Sequence, residues 1–348
     1  MKIAVGMSGG VDSSVCALLT KRSGHEVVGI TLRFHTVACE GDSLRICCSP
    51  KDVQDAARVS HFLGIPHLTF DWERLFSERV VKTFVEESLR GNTPNPCALC
   101  NRDVKTGFLA RYLHSIGFDK LATGHYARFV EYKGHRLIAK AKDRKRDQSY
   151  FLSLVRKEDL ELLDFPLGEL SKEEVRCIAK ENNLPVWDKR DSQDVCFLMG
   201  KEPGEFIEER VGQRIGKFYF EGRAVGQHRG FFHYTVGQRK GLGIALGFPV
   251  YVKGVDPEEN IVFLAKDEEL YRSWLLLGDV NLHLPMNLWE DVEAQIRYKS
   301  EPLPVKSIEK TKEGYVVRFE KPARGITPGQ VCAFYKGDVL LGGGIIEE

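Results

Sequence analysis

The residues most clearly suited to chemistry lie near the N-terminus, in the stretch S-G-G-V-D-S-S at positions 8–14. An apolar run at 3–7 precedes it, and apolar residues at helical spacing follow it. Adjacent glycines let backbone N–H groups approach an anion, and the dipole of the following helix adds partial positive charge. The hydroxyls of Ser8, Ser13 and Ser14 add hydrogen-bonding groups. Strand, glycine turn and helix start together predict a phosphate-binding loop.

The spacing of this loop differs from that of a Walker loop. G-x-x-x-x-G-K-[ST] is absent here, so a kinase-like or GTPase-like site is not indicated. The alternative is a Ser/Gly turn without function. Several specified residues between a strand and a helix favour the nucleotide site.

Cysteines are the second set of residues that could do chemistry. Cys97 and Cys100 follow a proline-punctuated loop at 91–96 and enter a helical pattern, where a helix N-terminus favours the thiolate. Cys196 lies far downstream in the polar segment 191–197. A lone C-x-x-C is typical of redox pairs, metal half-sites and coincidence alike, so the pair by itself assigns no role.

Alternating strands and helices position these residues over the first two hundred positions. The pattern predicts strands at 26–32, 67–70 and 120–124. It predicts helix starts at Ser49 and Ser171 and helix ends near Gly24 and Gly64. This order predicts an α/β fold with a doubly wound, mainly parallel sheet, whose ligands bind at the carboxyl ends of the strands.

The pattern changes from about Ile215, where short alternating runs and frequent glycines begin. Hairpin signals recur at 310–317 and 335–340. We therefore predict a small β-rich central domain and a C-terminal β-barrel. The expected division is an N-terminal catalytic domain at 1–205, a central linker domain at 206–268 and a barrel at 269–348.

Composition excludes some classes of protein. The 348 residues carry a formal net charge of +1, so any nucleic-acid site must be a local patch. No apolar stretch is long enough to cross a membrane, and the N-terminus is a poor signal peptide. Nine cysteines without a secretion signal favour the reducing cytoplasm.

Several motifs in order carry a resemblance to a known family. They are S-G-G-V-D-S-S, N-P-x-x-x-C-N, G-H-Y-A-R, D-Q-S-Y-F-L and D-S-x-x-x-C-F, followed by R-Y-K near 297 and P-G-Q at 328–330. The whole chain resembles the tRNA-specific 2-thiouridylases, the MnmA family of PP-loop ATP pyrophosphatases. Members of that superfamily cleave ATP between the α and β phosphates and adenylate a substrate oxygen.

This resemblance implies a sulfurtransferase that uses ATP and Mg²⁺. The wobble uridine, U34, of the tRNA anticodon loop would be adenylated on its 2-oxygen. Cys196 would carry a persulfide, and Cys100 would be the nucleophile that helps release its sulfur to C2. A Cys100–Cys196 disulfide and AMP would remain. The implied partners are tRNA, a sulfur donor (a cysteine desulfurase or relay protein) and a reductant, with no membrane.

The resemblance also implies binding residues. ATP would contact Gly6, Met7, Ser8, Gly9, Gly10, Val11, Asp12, Ser13, Leu32 and Gly124. The target base would contact Asn95, Pro96 and Cys97. The rest of the tRNA would contact His125, Arg146, Asp147, Gln148, Arg297, Tyr298 and Gln330.

One departure from the family matters, because Cys97 stands where the family usually has Asp. Three cysteines can hold a [4Fe–4S] cluster with an open iron, as some related tRNA thiolases do. Cys97, Cys100 and Cys196 therefore have two interpretations, persulfide–disulfide chemistry or cluster ligation.

Other polar residues have ordinary interpretations beside functional ones. Cys16, Cys177 and Cys332 are expected in the core, whereas Cys39, Cys47 and Cys48 have no common zinc spacing. The basic run at 140–146 and the residues Arg229, Arg239 and Lys240 are either solvated or in contact with RNA.

Two competing functions remain. They are another PP-loop adenylating enzyme and a binding module without chemistry.

Overall fold

The computed structural model describes residues 1–34, 50–191 and 195–348. Its helices are α1 (Val11–Arg22), α2 (Pro50–Leu63), α3 (Glu73–Phe76), α4 (Lys82–Leu89), α5 (Pro96–Cys100), α6 (Phe108–Ser115), α7 (Lys172–Glu181) and α8 (Pro203–Val211). Its strands in the first domain are β1 (Lys2–Gly6), β2 (Glu26–Arg33), β3 (His67–Asp71), β4 (Lys120–Thr123), β5 (Ala127–Tyr132), β6 (His135–Lys140) and β7 (Leu163–Asp164). The later strands are β8 (Gly216–Phe220), β9 (Arg223–His228), β10 (Tyr251–Asp256), β11 (Ile261–Ala265), β12 (Tyr271–Leu282), β13 (Glu293–Gln295), β14 (Leu303–Lys310), β15 (Tyr315–Arg324), β16 (Val331–Lys336) and β17 (Val339–Ile346).

A parallel sheet in the order β3-β2-β1-β4-β7 forms the N-terminal part. Alternate residues of its strands face two separate apolar cores, as the period of a strand requires. Ala4 and Leu121 join one core, whereas Ile3, Val5 and Ala122 join the other. Both faces are therefore covered, which explains why these strands read as continuous apolar runs.

The strand order reverses between β1 and β4. From β1 the chain builds outward through β2 and β3, and β4 then pairs on the opposite side of β1. In open α/β sheets a crevice forms at such a point, outside the carboxyl ends of the strands. The loop after β1, with its glycines, lies at this position.

The remaining strands form mainly antiparallel sheets, with one parallel pairing between β11 and β8. Strands β10-β11-β8-β9 form the central sheet. Strands β12-β15-β14-β13-β16-β17 close on themselves through a β12–β17 pairing, which makes a six-stranded barrel. The β5–β6 hairpin of the N-terminal part extends the barrel's sheet, because Ala139 of β6 pairs with Val339 of β17.

The fold class predicted from the sequence is confirmed. Ser171 caps α7 in a capping box, as predicted, and α1 and α2 end immediately before Ser23-Gly24 and Gly64. The predicted cap Ser49 lies outside the described residues. The β5–β6 hairpin was not predicted. Within the described ranges, no helix is both long and apolar enough to cross a membrane.

Candidate active site

The loop between β1 and α1 holds its shape through its own hydroxyls. Ser14 Oγ donates to the Gly10 carbonyl at 2.8 Å, and Ser13 Oγ lies 3.2 Å from the same oxygen. The Ser8 N–H donates to Ser13 Oγ at 3.1 Å. The first N–H groups of any α-helix lack intrahelical partners, so the start of α1 can bind an anion.

Two glycines allow the chain to pack tightly around this loop. Gly9 has a φ of +71°, and a Cβ there would lie 2.2 Å from the Asp52 carbonyl oxygen. A Cβ on Gly124 would lie 3.0 Å from the Ser13 nitrogen. The end of β4 is therefore pressed against the start of α1, at the predicted nucleotide position. Leu32, also predicted there, is buried in β2.

Lys172 joins this loop to a distant acidic residue. Its ammonium lies 2.7 Å and 2.8 Å from the two Asp12 carboxylate oxygens and 2.8 Å from Asp191 Oδ1. Its side chain is only 6% exposed. Asp12 also accepts a hydrogen bond from the Tyr126 hydroxyl at 2.8 Å. A lysine buried to this degree needs such partners, because an unpaired buried charge is very costly.

Asp191 is the acidic centre of this network. Arg176 and Arg146 pair with its carboxylate at 2.7 Å and 3.1 Å. Burial alone would raise the pKa of Asp191, but the Lys172 hydrogen bond and these cations outweigh it and lower the pKa. Asp191 therefore stays ionised and holds three cations beside the loop.

Lys189 forms a second bridge to the same loop. Its ammonium donates to the Gly9 carbonyl at 3.0 Å and to Asp52 and Asp55 at 2.7 Å each. Burial opposes the charge, but hydrogen bonds to the two carboxylates raise the pKa of Lys189. Lys189 and Asp191 are two positions apart. This short segment therefore contacts the loop at 8–14 directly through Lys189 and indirectly through Asp191, which pairs with Lys172.

Three residues of this network, Lys172, Lys189 and Tyr126, were not predicted from the sequence. Lys172 stands between the cap Ser171 and the acidic Glu173, a context typical of a solvated first turn. Two signals were available: the density of charge at 188–191, directly before the cysteine motif, and the place of Tyr126 in the G-H-Y-A-R motif.

The C-x-x-C pair lies on the short helix α5. Asn95 caps this helix by accepting the Ala98 N–H at 3.1 Å, and Pro96 occupies its first turn. Cys97 is exposed, whereas Cys100 is buried in the larger apolar core. The two cysteines therefore have different environments, although they are three positions apart.

Cys196 is half-buried and packs against the same apolar core as Cys100. The next residue, Phe197, is 2% exposed and contacts the rings of Phe84 and Phe206 at 5.2 Å and 5.1 Å. Residues 192–194 of the predicted motif lie outside the described residues. The structure thus attaches both cysteines of the predicted reaction to one core.

The [4Fe–4S] interpretation of Cys97, Cys100 and Cys196 stays a prediction. Over residues 1–34, 50–191 and 195–348, no three His, Cys, Asp or Glu side chains are grouped as metal ligands. Cys39, Cys47 and Cys48 lie outside these ranges. Mg²⁺ has a different requirement, because it is usually held by one or two carboxylates, waters and substrate phosphates. Asp12 lies in the loop, but both of its carboxylate oxygens are paired with Lys172.

The residues predicted to contact tRNA near the sheet have internal partners. His125 Nδ1 lies 2.7 Å from Thr123 Oγ1, and burial, assisted by the charge of Lys105, lowers its pKa to about 3. The ring is therefore neutral at physiological pH and cannot pair with phosphate by charge. Gln148 accepts the Tyr126 N–H at 2.9 Å.

Asp147 and Arg146 shape the following loop. Asp147 accepts hydrogen bonds from the Ala141 N–H and the Ser149 hydroxyl at 2.8 Å each, and burial raises its pKa. Arg146 pairs with Asp191 but is 42% exposed on its side chain. Of these two residues, Arg146 is the better placed to reach RNA.

The three predicted barrel residues lie at contacts between domains. Arg297 donates to the Val236 carbonyl of the central domain and to Thr327 of the barrel. The Tyr298 hydroxyl donates to the Asp147 carbonyl at 3.2 Å. Gln330 Nε2 donates to the Thr93 carbonyl at 2.7 Å. The structure therefore brings Gln330 beside the loop that leads to α5.

The remaining cysteine predictions have mixed outcomes. Cys16 and Cys332 are buried, as predicted, and burial raises the pKa of both thiols. The prediction that Cys177 lies in the core is wrong, because it is on the exposed side of α7. The apolar residues Val175 and Ala179 occupy the buried face instead.

The other basic residues keep two interpretations. In the basic run, Arg144 pairs with Asp338, and the Lys140 ammonium lies 4.3 Å from the centroid of the Tyr335 ring. Arg229 lies 3.6 Å from Glu205. Some of these basic side chains therefore have partners within the protein and need no RNA to offset their charge.

Comparison with protein families matches almost the whole chain in three parts. A model described as a tRNA methyl transferase HUP domain matches residues 1–200. A tRNA methyl transferase PRC-barrel domain matches 204–266, and an aminomethyltransferase beta-barrel domain matches 273–346.

Full-length relatives share a different description. The chain is 60% identical to a protein named tRNA-specific 2-thiouridylase MnmA from Aquifex aeolicus, over 100% of this chain and 99% of the relative. It is 48% identical to a protein of the same name from Hydrogenobaculum, over 99% and 100%. A solved structure from Methanocaldococcus jannaschii, described as a predicted subunit of tRNA methyltransferase, has a TM-score of 0.37 at 19% identity. It covers 61% of this chain and 88% of its own, a likeness too weak to support an argument.

Proposed function

The chain belongs to the tRNA-specific 2-thiouridylase (MnmA) family, and from that membership we propose that it uses ATP to replace the 2-oxygen of U34 in tRNA with sulfur. The geometry of the loop at 8–14, at the start of α1, is the observation that supports this reaction. We also propose the domain division 1–205, 206–268 and 269–348.

The first step needs a site that holds ATP while a uridine oxygen attacks its α-phosphate. The loop at 8–14 binds the phosphates through its N–H groups, and Gly124 and Leu32 flank the nucleotide. Three cations, Lys172, Arg176 and Arg146, surround the two carboxylates of Asp12 and Asp191, and the excess positive charge helps to neutralise the pyrophosphate that leaves. Mg²⁺ would be held by the phosphates, because Lys172 and Tyr126 are hydrogen-bonded to the Asp12 carboxylate, and it would supply charge neutralisation when bound.

The second step transfers sulfur to the activated base. The outer sulfur of a Cys196 persulfide bonds to C2 of the uridine while the C2–O bond to AMP breaks. The Cys100 thiolate then attacks the Cys196 sulfur, which releases the 2-thiouridine and leaves a Cys100–Cys196 disulfide. A reductant must supply two electrons to restore both thiols. Asn95, Pro96 and Cys97 would contact the splayed base.

Contacts to the RNA backbone would depend on the basic residues near the site. Arg146 and the exposed part of the basic run would contact the phosphate backbone, whereas neutral His125 would contact RNA without charge. These substrates and reduced thiols are found together in the cytoplasm, where we propose that the enzyme acts. A cysteine desulfurase or relay protein would supply the sulfur.

An assay of U34 thiolation in unmodified tRNA, with ATP, a sulfur source and a reductant, tests this function. Cys100→Ser and Cys196→Ser should each abolish 2-thiouridine. Cys177→Ser is the matched control, because Cys177 is an exposed cysteine outside the site. Retained thiolation in either of the first two variants would refute the assigned role.

Two further experiments test the alternatives of methyl transfer and of a [4Fe–4S] cluster. A labelled methyl donor should leave no label on the tRNA, whereas labelled tRNA would favour the methyl transfer named by the family models. Anaerobic purification with iron and sulfide analysis should give an active, iron-free enzyme. Stoichiometric iron that is required for thiolation would favour a [4Fe–4S] cluster on Cys97, Cys100 and Cys196.

A further inference from the structure

We propose that the barrel turn Pro328–Gly329–Gln330 is a clasp that positions the loop leading to Cys97 and Cys100. In this assignment Gln330 is a positioning residue for catalysis. The inference deepens the proposed function and rests on it for the roles of α5 and its cysteines.

Both backbone polar groups of Thr93 are bonded to this turn. The Thr93 N–H donates to the Pro328 carbonyl at 2.8 Å, and the Thr93 carbonyl accepts Gln330 Nε2 at 2.7 Å. A loop residue more often leaves such groups to water. The Gln330 amide nitrogen is thus already engaged with protein.

The fit between turn and loop is close. Gly329 has a φ of +87°, and a Cβ there would lie 2.9 Å from the Thr93 nitrogen and carbonyl carbon. On the central-domain side, a Cβ on Gly91 would lie 2.8 Å from Pro257 Cγ. The Thr93 hydroxyl lies 3.3 Å from that of Thr235. The loop is therefore held from two domains at once.

The turn itself is fixed to the barrel. The Gly329 N–H donates to the Ile346 carbonyl at 2.7 Å, and the Ile346 N–H donates to the Gln330 carbonyl at 2.8 Å. Ile346 is the last residue of β17, which pairs with β12 and β16. Any displacement of this strand end is passed to Thr93.

Thr93 is close enough in sequence to act on the cysteines. Asn95, two residues later, caps α5 through the Ala98 N–H, and Cys97 and Cys100 lie on that helix. Reacting groups must be held within a fraction of an ångström, and a misplacement of about 1 Å can cost about 100-fold in rate. The Gln330 side chain and the Thr93 peptide therefore link the barrel to the loop that enters α5.

Gln330→Met tests the clasp, because it keeps the length of the side chain and removes the donor. We expect kcat at saturating tRNA to fall about fivefold or more, since a hydrogen bond contributes about 1 kcal/mol. The dissociation constant for tRNA should stay within about twofold, and the Thr93 amide should exchange its hydrogen faster. Gln330→Lys, which restores an N–H donor of similar reach, should recover most of kcat. Gln213→Ala is the control, because Gln213 is an exposed glutamine that is distant in sequence from both Thr93 and Gln330.

The outcomes distinguish failure of the clasp from failure of the proposed function. If Gln330→Met weakens tRNA binding and leaves kcat intact, Gln330 is an RNA contact and the clasp is overturned. Unchanged exchange at Thr93 also overturns it. If the unmodified enzyme binds tRNA but makes no 2-thiouridine, the proposed function fails, while amide exchange still decides whether the clasp exists.

Discussion

Replacing Lys172 with methionine should destabilise the fold by about 3 kcal/mol. Breaking a buried ion pair costs roughly 3–5 kcal/mol because it leaves an uncompensated charge. The lower end applies here, since Asp191 keeps Arg176 and Arg146 and the Asp12 side chain is 32% exposed. In a domain of about 200 residues, that loss corresponds to a fall of about 6–12 °C in Tm.

Thermal unfolding followed by circular dichroism measures this effect. Lys201→Met is the matched control, because Lys201 pairs with Glu209 at 2.6 Å but both side chains are about half exposed. Such a surface pair contributes less than about 1 kcal/mol. Adding Asp191→Asn to Lys172→Met should cost less than the two single changes together, because the second change removes a carboxylate left without its lysine.

Two results would refute the argument. If Lys172→Met lowers Tm no more than Lys201→Met does, the lysine is solvated and its contacts are weak. If the Lys172 and Asp191 substitutions are strictly additive, the two residues do not interact in solution. Either result would also remove the electrostatic link between the phosphate loop and the segment at 188–191.

Three further predictions concern other parts of the molecule. Gly9→Ala should abolish ATP binding measured by calorimetry, because its Cβ would lie 2.2 Å from a carbonyl oxygen in a strained backbone; preserved affinity would contradict the loop geometry. Phe197→Ala should cost about 3–5 kcal/mol in unfolding free energy, since its buried ring packs in an aromatic cluster; a loss below about 1 kcal/mol would place the ring in solvent. Burial lowers the pKa of His283 from 6.5 to about 4 while its Nε2 is hydrogen-bonded to the Val155 carbonyl. Its neutral form therefore contributes stability above pH 6.5, and about 3 kcal/mol should be lost as the pH falls toward 4, a loss that His283→Gln should remove.

The sequence predicted those features that depend on local pattern. Gly64 ends a helix and Ser171 starts one because their conformations and caps are local properties. The anion-binding turn at 8–14 was predicted for the same reason. The parallel sheet followed from the alternation of strands and helices, which leaves few arrangements open.

Long-range partners could not be predicted in this way. Lys172 lies 160 positions from Asp12, and Gln330 lies 237 positions from Thr93. Neither pair has a periodicity or spacing that connects its members. The β5–β6 hairpin was missed because its strands are stabilised partly by the barrel, which follows nearly two hundred residues later.

The pairing of that hairpin with β17 has a mechanical consequence. A continuous hydrogen-bonded sheet runs from the first domain into the barrel, and it includes Val339 opposite Ala139. The two parts cannot rotate past each other without breaking strand pairing, so we expect them to move as one body. The barrel residues that we propose to contact tRNA are then held at a fixed distance from the loop at 8–14.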